Sequence, residues 1–235
     1  MGVFRFKKFS VCDDQAAMKL GTDGVLLAAW ADVSNAKKIL DIGTGCGVIA
    51  LILAQRSDED ARIECVDSSL QDANQASENF LKSPWPFKMT VYHTRIQDFK
   101  PAASFDLIVC NPPYFSKSLL PQVEQRSKAR HTITLTPEEL LEATVRLLSP
   151  QGKFSCILPV PEGEAFLEKA RSINFFPYRI VHFFTRRGKP PERLLIEFGL
   201  TNETSIAESL VLYESGDQKT KAYTDLTGEF YLDRS

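Results

Sequence analysis

Two stretches of this 235-residue chain combine residue types and spacing that could carry chemistry: Asn111-Pro112-Pro113-Tyr114 and Asp41-Ile42-Gly43-Thr44-Gly45-Cys46-Gly47. The first suits work on a planar amine. An exocyclic amine is a poor nucleophile because its lone pair is delocalised into the ring that bears it. If the Asn111 side-chain oxygen and a backbone carbonyl accept its two hydrogens, the nitrogen can pyramidalise and aim that lone pair. Pro112 has no N–H, and its rigid pairing with Pro113 fixes where the accepting carbonyl points. Tyr114 offers a flat face on which a base can stack. Taken alone, Asn-Pro and Pro-Pro are also ordinary turn punctuation. Position favours chemistry, because the tetrad follows directly on an apolar run, at the strand end where open α/β sheets bind ligands. The candidate catalytic residues are therefore Asn111, Pro112, Pro113 and Tyr114.

The glycine stretch follows another apolar run and opens a helix. Glycines let backbone turn tightly against a ligand, and a helix N-terminus presents free N–H groups. The spacing is G-x-G-x-G rather than G-x-G-x-x-G, which weakens a dinucleotide reading. Asp41 points the same way, since a carboxylate there repels a pyrophosphate but suits a cationic amino-acid moiety. Asp67, 20 residues beyond Gly47 and followed by Ser68, closes the next run and is placed to accept hydrogen bonds from both ribose hydroxyls of a nucleoside. As an isolated acid it would instead cap the following helix. A methyl donor with an amino-acid and a nucleoside end is a sulfonium, so transfer is an in-line displacement in which positive charge leaves sulfur. Positioning and desolvation then supply most of the catalysis, without a strong general base.

The elements that must hold these loops are legible as alternating short apolar runs and helix-like stretches, the pattern of a parallel sheet built from βα units. The runs are 38–42, 62–67, 89–93, 106–110 and 152–159, with helices expected at about 47–56, 69–82, 137–148 and 161–172. Thr136, Pro137 and Glu139 form a capping-box start. Two longer runs, 178–184 and 193–200, are joined by a loop too short for a crossover helix and must be antiparallel. The expected architecture is a seven-stranded, mostly parallel, Rossmann-like α/β sheet with a terminal antiparallel hairpin and helices on both faces. The whole chain, 1–235, reads as one domain: an N-terminal extension over 1–35, then a core and a short C-terminal tail over 36–235.

Composition narrows the classes. Apolar residues make up 43% and charged residues 25%, as in globular chains. No run of about 18 apolar residues is present, so no membrane span is expected. Met1 to Lys8 lacks an apolar signal core, and Phe6 stands where a myristoylation start wants Ser or Thr. Five dispersed cysteines without a CxxC pair argue against a disulfide framework and against a zinc site. A cytoplasmic location, no metal and a monomeric state are expected. With a net charge of −2, any nucleic acid must be held by local basic clusters.

On these motifs the chain resembles the class I S-adenosylmethionine methyltransferases with an N-P-P-Y motif. Within them it is similar to the bacterial tRNA1(Val) adenine-N6 methyltransferase family, over nearly its whole length. Met18 to Ala31 is close to that family's N-terminal signature, and Arg130-His131, Gly188 to Arg193 and Tyr223 to Leu232 are similar as well. The tail departs, with a few residues expected between Asp225 and Leu226 missing. The resemblance implies S-adenosylmethionine as cofactor, S-adenosylhomocysteine as product, and methylation of the N6 of an adenine beside the anticodon of a valine tRNA. It implies that the extension folds over the cofactor, bringing Lys19, Thr22 and Asp23 to it. It also places Gln97 and Asp98 near the cofactor adenine, although Asp98 fits a turn cap equally well. The implied cofactor set is Lys19, Thr22, Asp23, Asp41, Gly43, Thr44, Gly45, Gly47, Asp67, Ser68, Gln97, Asp98 and Asn111.

Four basic groups could hold RNA: Arg5, Lys7 and Lys8; Lys117; Arg126, Lys128, Arg130 and His131; and Arg186, Arg187, Lys189 and Arg193. Any one of them alone is an ordinary solvated surface. If the sixth strand is parallel to its neighbours, the loop 185–193 overhangs the same rim as Asn111, and 115–131 starts on that rim too. Both would frame the site with positive charge. Phe4 to Phe9 alternates aromatic and basic residues, as either a stacking surface or an edge strand burying its aromatics. His131 reads as structural or phosphate-contacting; His93 and His182 receive no role. Rival readings are glutamine N5-methylation of a protein such as a release factor, adenine methylation of DNA or rRNA, a nucleoside-binding module, and an NAD oxidoreductase. The glutamine enzymes carry a helical domain before the cofactor loop, where about 38 residues stand here. The DNA enzymes usually carry a separate target-recognition domain, and none is visible.

Overall fold

Apolar runs alternating with amphipathic stretches produce the expected alternation in space. The computed structural model describes residues 2–113 and 135–232. Two short strands, β1 (Val3–Arg5) and β2 (Ser10–Cys12), pair antiparallel at the start, followed by helix α1 (Thr22–Trp30). Strands β3 (Lys38–Ile42), β4 (Arg62–Asp67), β5 (Met89–His93), β6 (Phe105–Cys110) and β7 (Leu148–Pro159) follow, interleaved with α2 (Val48–Arg56), α3 (Leu70–Leu81) and α4 (Pro137–Leu147). All five strands run parallel, in the order β7-β6-β3-β4-β5. The capping box at the start of α4 forms as its sequence requires, with Thr136 and Glu139 each accepting the other's backbone N–H.

After α5 (Val160–Ser172), strands β8 (Phe176–Arg186) and β9 (Arg193–Gly199) make the expected antiparallel hairpin. Its placement meets one expectation and corrects another. First, β9 inserts between β7 and β8, so β8 points the same way as the parallel strands and its loop does leave on the rim that carries Asn111. Second, the sheet has eight strands rather than seven. Part of the stretch read as a short tail forms β10 (Ile206–Tyr213), parallel to β8 on its outer edge, so the hairpin is not terminal. Helix α6 (Lys221–Thr227) follows.

Each face of the sheet buries its own apolar layer. One holds α1, α2 and α3 with Phe6, Phe9, Tyr223 and Phe230; the other holds α4 and α5. In the second layer Phe154, Phe166, Phe175 and Phe198 interlock with ring centroids 5.2–6.3 Å apart, each pair adding about 0.5–1.5 kcal/mol beyond its burial. In the first, the N-terminal hairpin meets the C-terminal segment: the Lys7 amide donates to Phe230 and Phe6 bridges Tyr231. Phe6 and Phe9 are buried and stacked at 4.6 Å, which decides between the two readings of Phe4 to Phe9. Phe6 and Phe9 face the core, while Phe4, Arg5, Lys7 and Lys8 remain on the surface.

Candidate active site

Strands β3 and β6 are neighbours, and their register pairs Ile42 with Cys110. The next residue on each is Gly43 and Asn111. Adjacent strands lie about 4.8 Å apart, so the glycine turn and the start of the Asn-Pro-Pro turn open side by side on one rim. Asn111 is half-buried, Pro112 buried and Pro113 exposed. Tyr114, Lys117, Arg126, Lys128, Arg130 and His131 lie outside the described residues.

Gly43, Gly45 and Gly47 all adopt positive φ (70°, 55° and 83°), which side chains rarely tolerate. A Cβ on Gly43 or Gly45 would meet nothing within 4 Å among the described residues, which leave bare backbone uncovered there. At Gly47 the reason for glycine is different, since a Cβ would lie 2.5 Å from the Phe80 ring of α3. The expectation of free N–H groups is corrected for the glycine turn itself. The amides of Gly43 and Thr44 donate to the Val66 carbonyl, that of Gly45 to Asp67, and that of Gly47 to the Thr44 carbonyl. These amides are committed to holding the turn, so the cradle offers room rather than an anion-binding nest.

Acids supply its polarity. Asp41 is fully buried; its Oδ2 accepts from the Thr44 hydroxyl at 2.7 Å while Oδ1 has no hydrogen-bond partner among the described residues. Burial pushes its pKa up to about 7, against the pull of the Thr44 hydroxyl and with help from the charge of Asp67. The Ala50 amide pulls downward more weakly without reaching hydrogen-bond geometry. A buried carboxylate with one unanswered oxygen wants a cationic donor. Asp67, at the end of β4, accepts from Ser69 N (2.8 Å) on one oxygen and Gly45 N (2.9 Å) on the other. It is not the cap of α3, a task done by Ser69. Burial raises its pKa, opposed by those two amides. Each Asp67 oxygen keeps a lone pair for a further donor. Ser68 is exposed beside it, and its carbonyl meets His93 Nε2 at 3.2 Å.

Gln97 and Asp98 follow β5 onto the same rim. Asp98 is exposed, paired with Arg95 at 2.7 Å, and its amide closes a turn to the Arg95 carbonyl. The turn reading of Asp98 is therefore the one with visible contacts. Lys19 gives its ammonium to the carbonyls of Asp13 (2.6 Å) and Asp14 (3.2 Å), and Thr22 is exposed at the start of α1. Asp23 accepts from Arg193 Nε at 2.8 Å, tying α1 to the first residue of β9.

Three side chains that sequence reasoning missed line the inner face of α3: Asp72, Gln75 and Asn79, all buried. Asp72 accepts from Ala17 N, Gln75 from Gln15 N and Asn79 from Cys12 N. They bind the extension along α3 beside the glycine turn. The signal was a polar stripe at i, i+3 and i+7 of a helix whose flanking Ala73, Ala76 and Phe80 are core.

On the other half of the rim, the end of β8 and the loop after it carry Arg186, Arg187 and Lys189, all exposed. Three strand spacings, about 14 Å, separate β8 from β6. Arg186 bonds the Gly216 carbonyl, lies 3.6 Å from Asp217 and stacks over Tyr213. Arg187 grips Glu214 through two bonds of 3.0 and 3.1 Å. Their positive charge is thus largely answered by the turn after β10.

Among the described residues no group of metal-ligating side chains occurs, no helix is long and apolar enough to cross a membrane, and all five cysteines are free. Comparison with known proteins places the site in context. Residues 16–159 match the family model described as methyltransferase small domain. The chain is 42% identical over 229 residues to the tRNA1(Val) (adenine(37)-N6)-methyltransferase of Bacteroides thetaiotaomicron, covering 97% of each. To the protein of the same name from Photorhabdus laumondii it is 41% identical over 231 residues, covering 97% of this chain and 95% of that one. In fold it is similar to a predicted O-methyltransferase from Agrobacterium tumefaciens (TM-score 0.70, 20% identity, 88% of this chain and 96% of that one). A second fold likeness is the N-methyltransferase NodS of Bradyrhizobium japonicum, in complex with S-adenosylhomocysteine (TM-score 0.50, 18% identity, 74% of this chain and 82% of that one).

Proposed function

We propose, from the premise that this chain belongs to the methyltransferase small-domain family, that it transfers a methyl group from S-adenosylmethionine to N6 of adenine 37 in tRNA1(Val). Nearly full-length relatives at about 40% identity carry that activity in their names. The observation that carries the chemistry is the pairing of Ile42 with Cys110, which opens the two turns beside each other.

The residues present fit the donor. The open backbone at Gly43 and Gly45 leaves room for a flat, extended molecule, the unanswered Asp41 oxygen suits its ammonium, and Asp67 suits its ribose hydroxyls. When bound, S-adenosylmethionine supplies an electrophilic methyl on a sulfonium. Asn111 accepts one hydrogen of the target amine through its side-chain oxygen, and the backbone carbonyl of Pro112 accepts the other, which turns the nitrogen lone pair toward that methyl. Tyr114 stacks on the extruded base. No strong base is required, because the methylated amine is acidic and sheds its proton to water. Gln97 and the Ser68 segment close the nucleoside end. Arg5, Lys7, Lys8, Lys117, Arg126, Lys128, Arg130, His131, Arg186, Arg187 and Lys189 are the cations that would meet the RNA backbone, and Arg193, paired with Asp23, braces the base of the loop after β8.

Labelled S-adenosylmethionine offered in parallel with bulk tRNA, DNA and protein tests this reading. Label is expected in tRNA; label confined to protein or DNA would overturn it.

A further inference from the structure

We propose that Asn79 is a positioning residue for the donor pocket: it locks the segment from Cys12 to Leu20 against the glycine turn, making that segment a fixed wall of the pocket. The inference rests on the functional reading above. Asn79 is 1% exposed and spends its amide on three bonds. Its Oδ1 accepts from Cys12 N at 3.0 Å, and its Nδ2 donates to the Cys12 carbonyl and to the Cys46 carbonyl, each at 2.8 Å. One side-chain amide therefore acts as a strand partner to Cys12 and, with its second hydrogen, grips the residue between Gly45 and Gly47.

The segment it holds needs such help. Residues 13–20 form neither helix nor strand, and buried or half-buried amides cannot be left without partners. Gln15 N goes to Gln75, Ala17 N to Asp72 and Leu20 N to Asp13, so side chains stand in for a sheet. Of these contacts only Asn79 reaches the glycine turn. Asp72 and Gln75 attach the segment to α3; Asn79 attaches segment, helix and turn to one another. Loosening it leaves Gly43, Asp41 and Asn111 where the parallel strands put them and frees the opposite wall together with the Cys46 carbonyl. Donor affinity should fall while the chemical step is spared.

The test compares Asn79→Ala with Leu210→Ala, a truncation of a buried side chain on β10 that should itself lower stability. Calorimetry with S-adenosylhomocysteine should show about tenfold weaker binding for Asn79→Ala, the scale of lost buried hydrogen bonds, and little change for Leu210→Ala. The KM for the donor should rise in step with kcat nearly unchanged. Hydrogen exchange should show lost protection at Cys12, Gln15 and Ala17. Asn79→Ser, which keeps one donor and one acceptor, should fall between and carries the comparison if the alanine variant does not fold. Unchanged affinity in Asn79→Ala, or an equal loss in Leu210→Ala, overturns the inference. Wild-type protein that does not bind S-adenosylhomocysteine overturns the functional reading itself.

Discussion

The two halves of the ligand rim are built on opposite principles. Around β3, β4 and β6, polar groups are buried and almost all are committed: the glycine-turn amides, Asp67, Asn79 and the extension's backbone hold one another. Around β8 and β10 the charges are exposed, and they are paired only side chain to side chain or to a surface carbonyl. Buried bonds are costly to break because a lost partner leaves a desolvated group behind, about 1–3 kcal/mol each. Exposed ion pairs are worth about 0–1 kcal/mol, so a phosphate can replace Glu214 on Arg187 at little cost. The first half suits a small ligand of fixed shape, and the second suits a polymer that exchanges contacts.

The largest expected effect sharpens the first half. Asn111→Ala should lower kcat by about 100- to 1,000-fold with donor affinity nearly intact, since the contact proposed for it is made mainly in the transition state. Parallel kinetics and calorimetry check this, and equal losses in both would move Asn111 to a binding role.

Two glycines at positive φ then contrast the halves directly. Gly47→Ala forces a Cβ to 2.5 Å from Phe80 at φ 83°, costing about 2–4 kcal/mol from backbone strain and overpacking together. Gly188→Ala, at φ 78° with nothing within 4 Å, carries the backbone cost alone, about 1–2 kcal/mol. Urea unfolding of both variants measures the difference, and Phe80→Leu in the Gly47→Ala background should recover part of the first loss. Equal costs would show that Phe80 does not crowd the turn.

Asp41 gives a pH dependence. Its carboxyl is raised from the ordinary 3.8 to about 7 on folding. The folded state therefore holds the proton more tightly, and that stabilisation is full below pH 4 and lost as pH rises to about 7. Unfolding across that window should show wild type losing stability relative to Asp41→Asn, by on the order of 2–4 kcal/mol. Binding of S-adenosylhomocysteine to wild type should strengthen over the same window, as the carboxylate becomes available to the ammonium. A parallel pair of stability curves would contradict the assigned burial.

The smallest effects lie on the exposed half. Glu214→Gln with Asp217→Asn frees Arg186 and Arg187, and should tighten tRNA binding a few-fold with a steeper salt slope. Arg186→Ala with Arg187→Ala should flatten that slope by roughly 1–2. An unchanged slope in both pairs removes this loop from the RNA surface.

Legibility in the sequence followed the same division. Strands β3 to β9 and helices α2 to α5 announced themselves through apolar runs, glycine turns and the Thr136 cap, and parallel βα connections then forced both turns onto one rim. Helix α1 was not legible as a helix, because Gly24 to Trp30 are all buried and an apolar surface all round leaves no 3.6-residue rhythm. Strand β10 hid for the opposite reason: Ile206 to Ser209 are exposed, so no core-facing alternation marks it. Asp72, Gln75 and Asn79 drew no role from the sequence, because nothing local to α3 marks a polar stripe for burial until the extension is laid against it. The amides of Gly43, Thr44 and Gly45 looked available because their acceptors, Val66 and Asp67, lie on another strand. Arg186 and Arg187 looked like free cations because their partners sit 27–31 residues away, in a turn that no local pattern signals.

Everything converges on whether one pocket joins a methyl donor to an adenine amine. Incubating the protein with S-adenosylmethionine and an unmodified tRNA1(Val) transcript, then mapping methylated nucleosides by mass spectrometry, tests that most directly. The account predicts N6-methyladenosine at position 37 with wild type and, in the same incubation, about 100- to 1,000-fold slower formation with Asn111→Ala. A methyl group on any other atom, or full methylation by the Asn111→Ala variant, would contradict it.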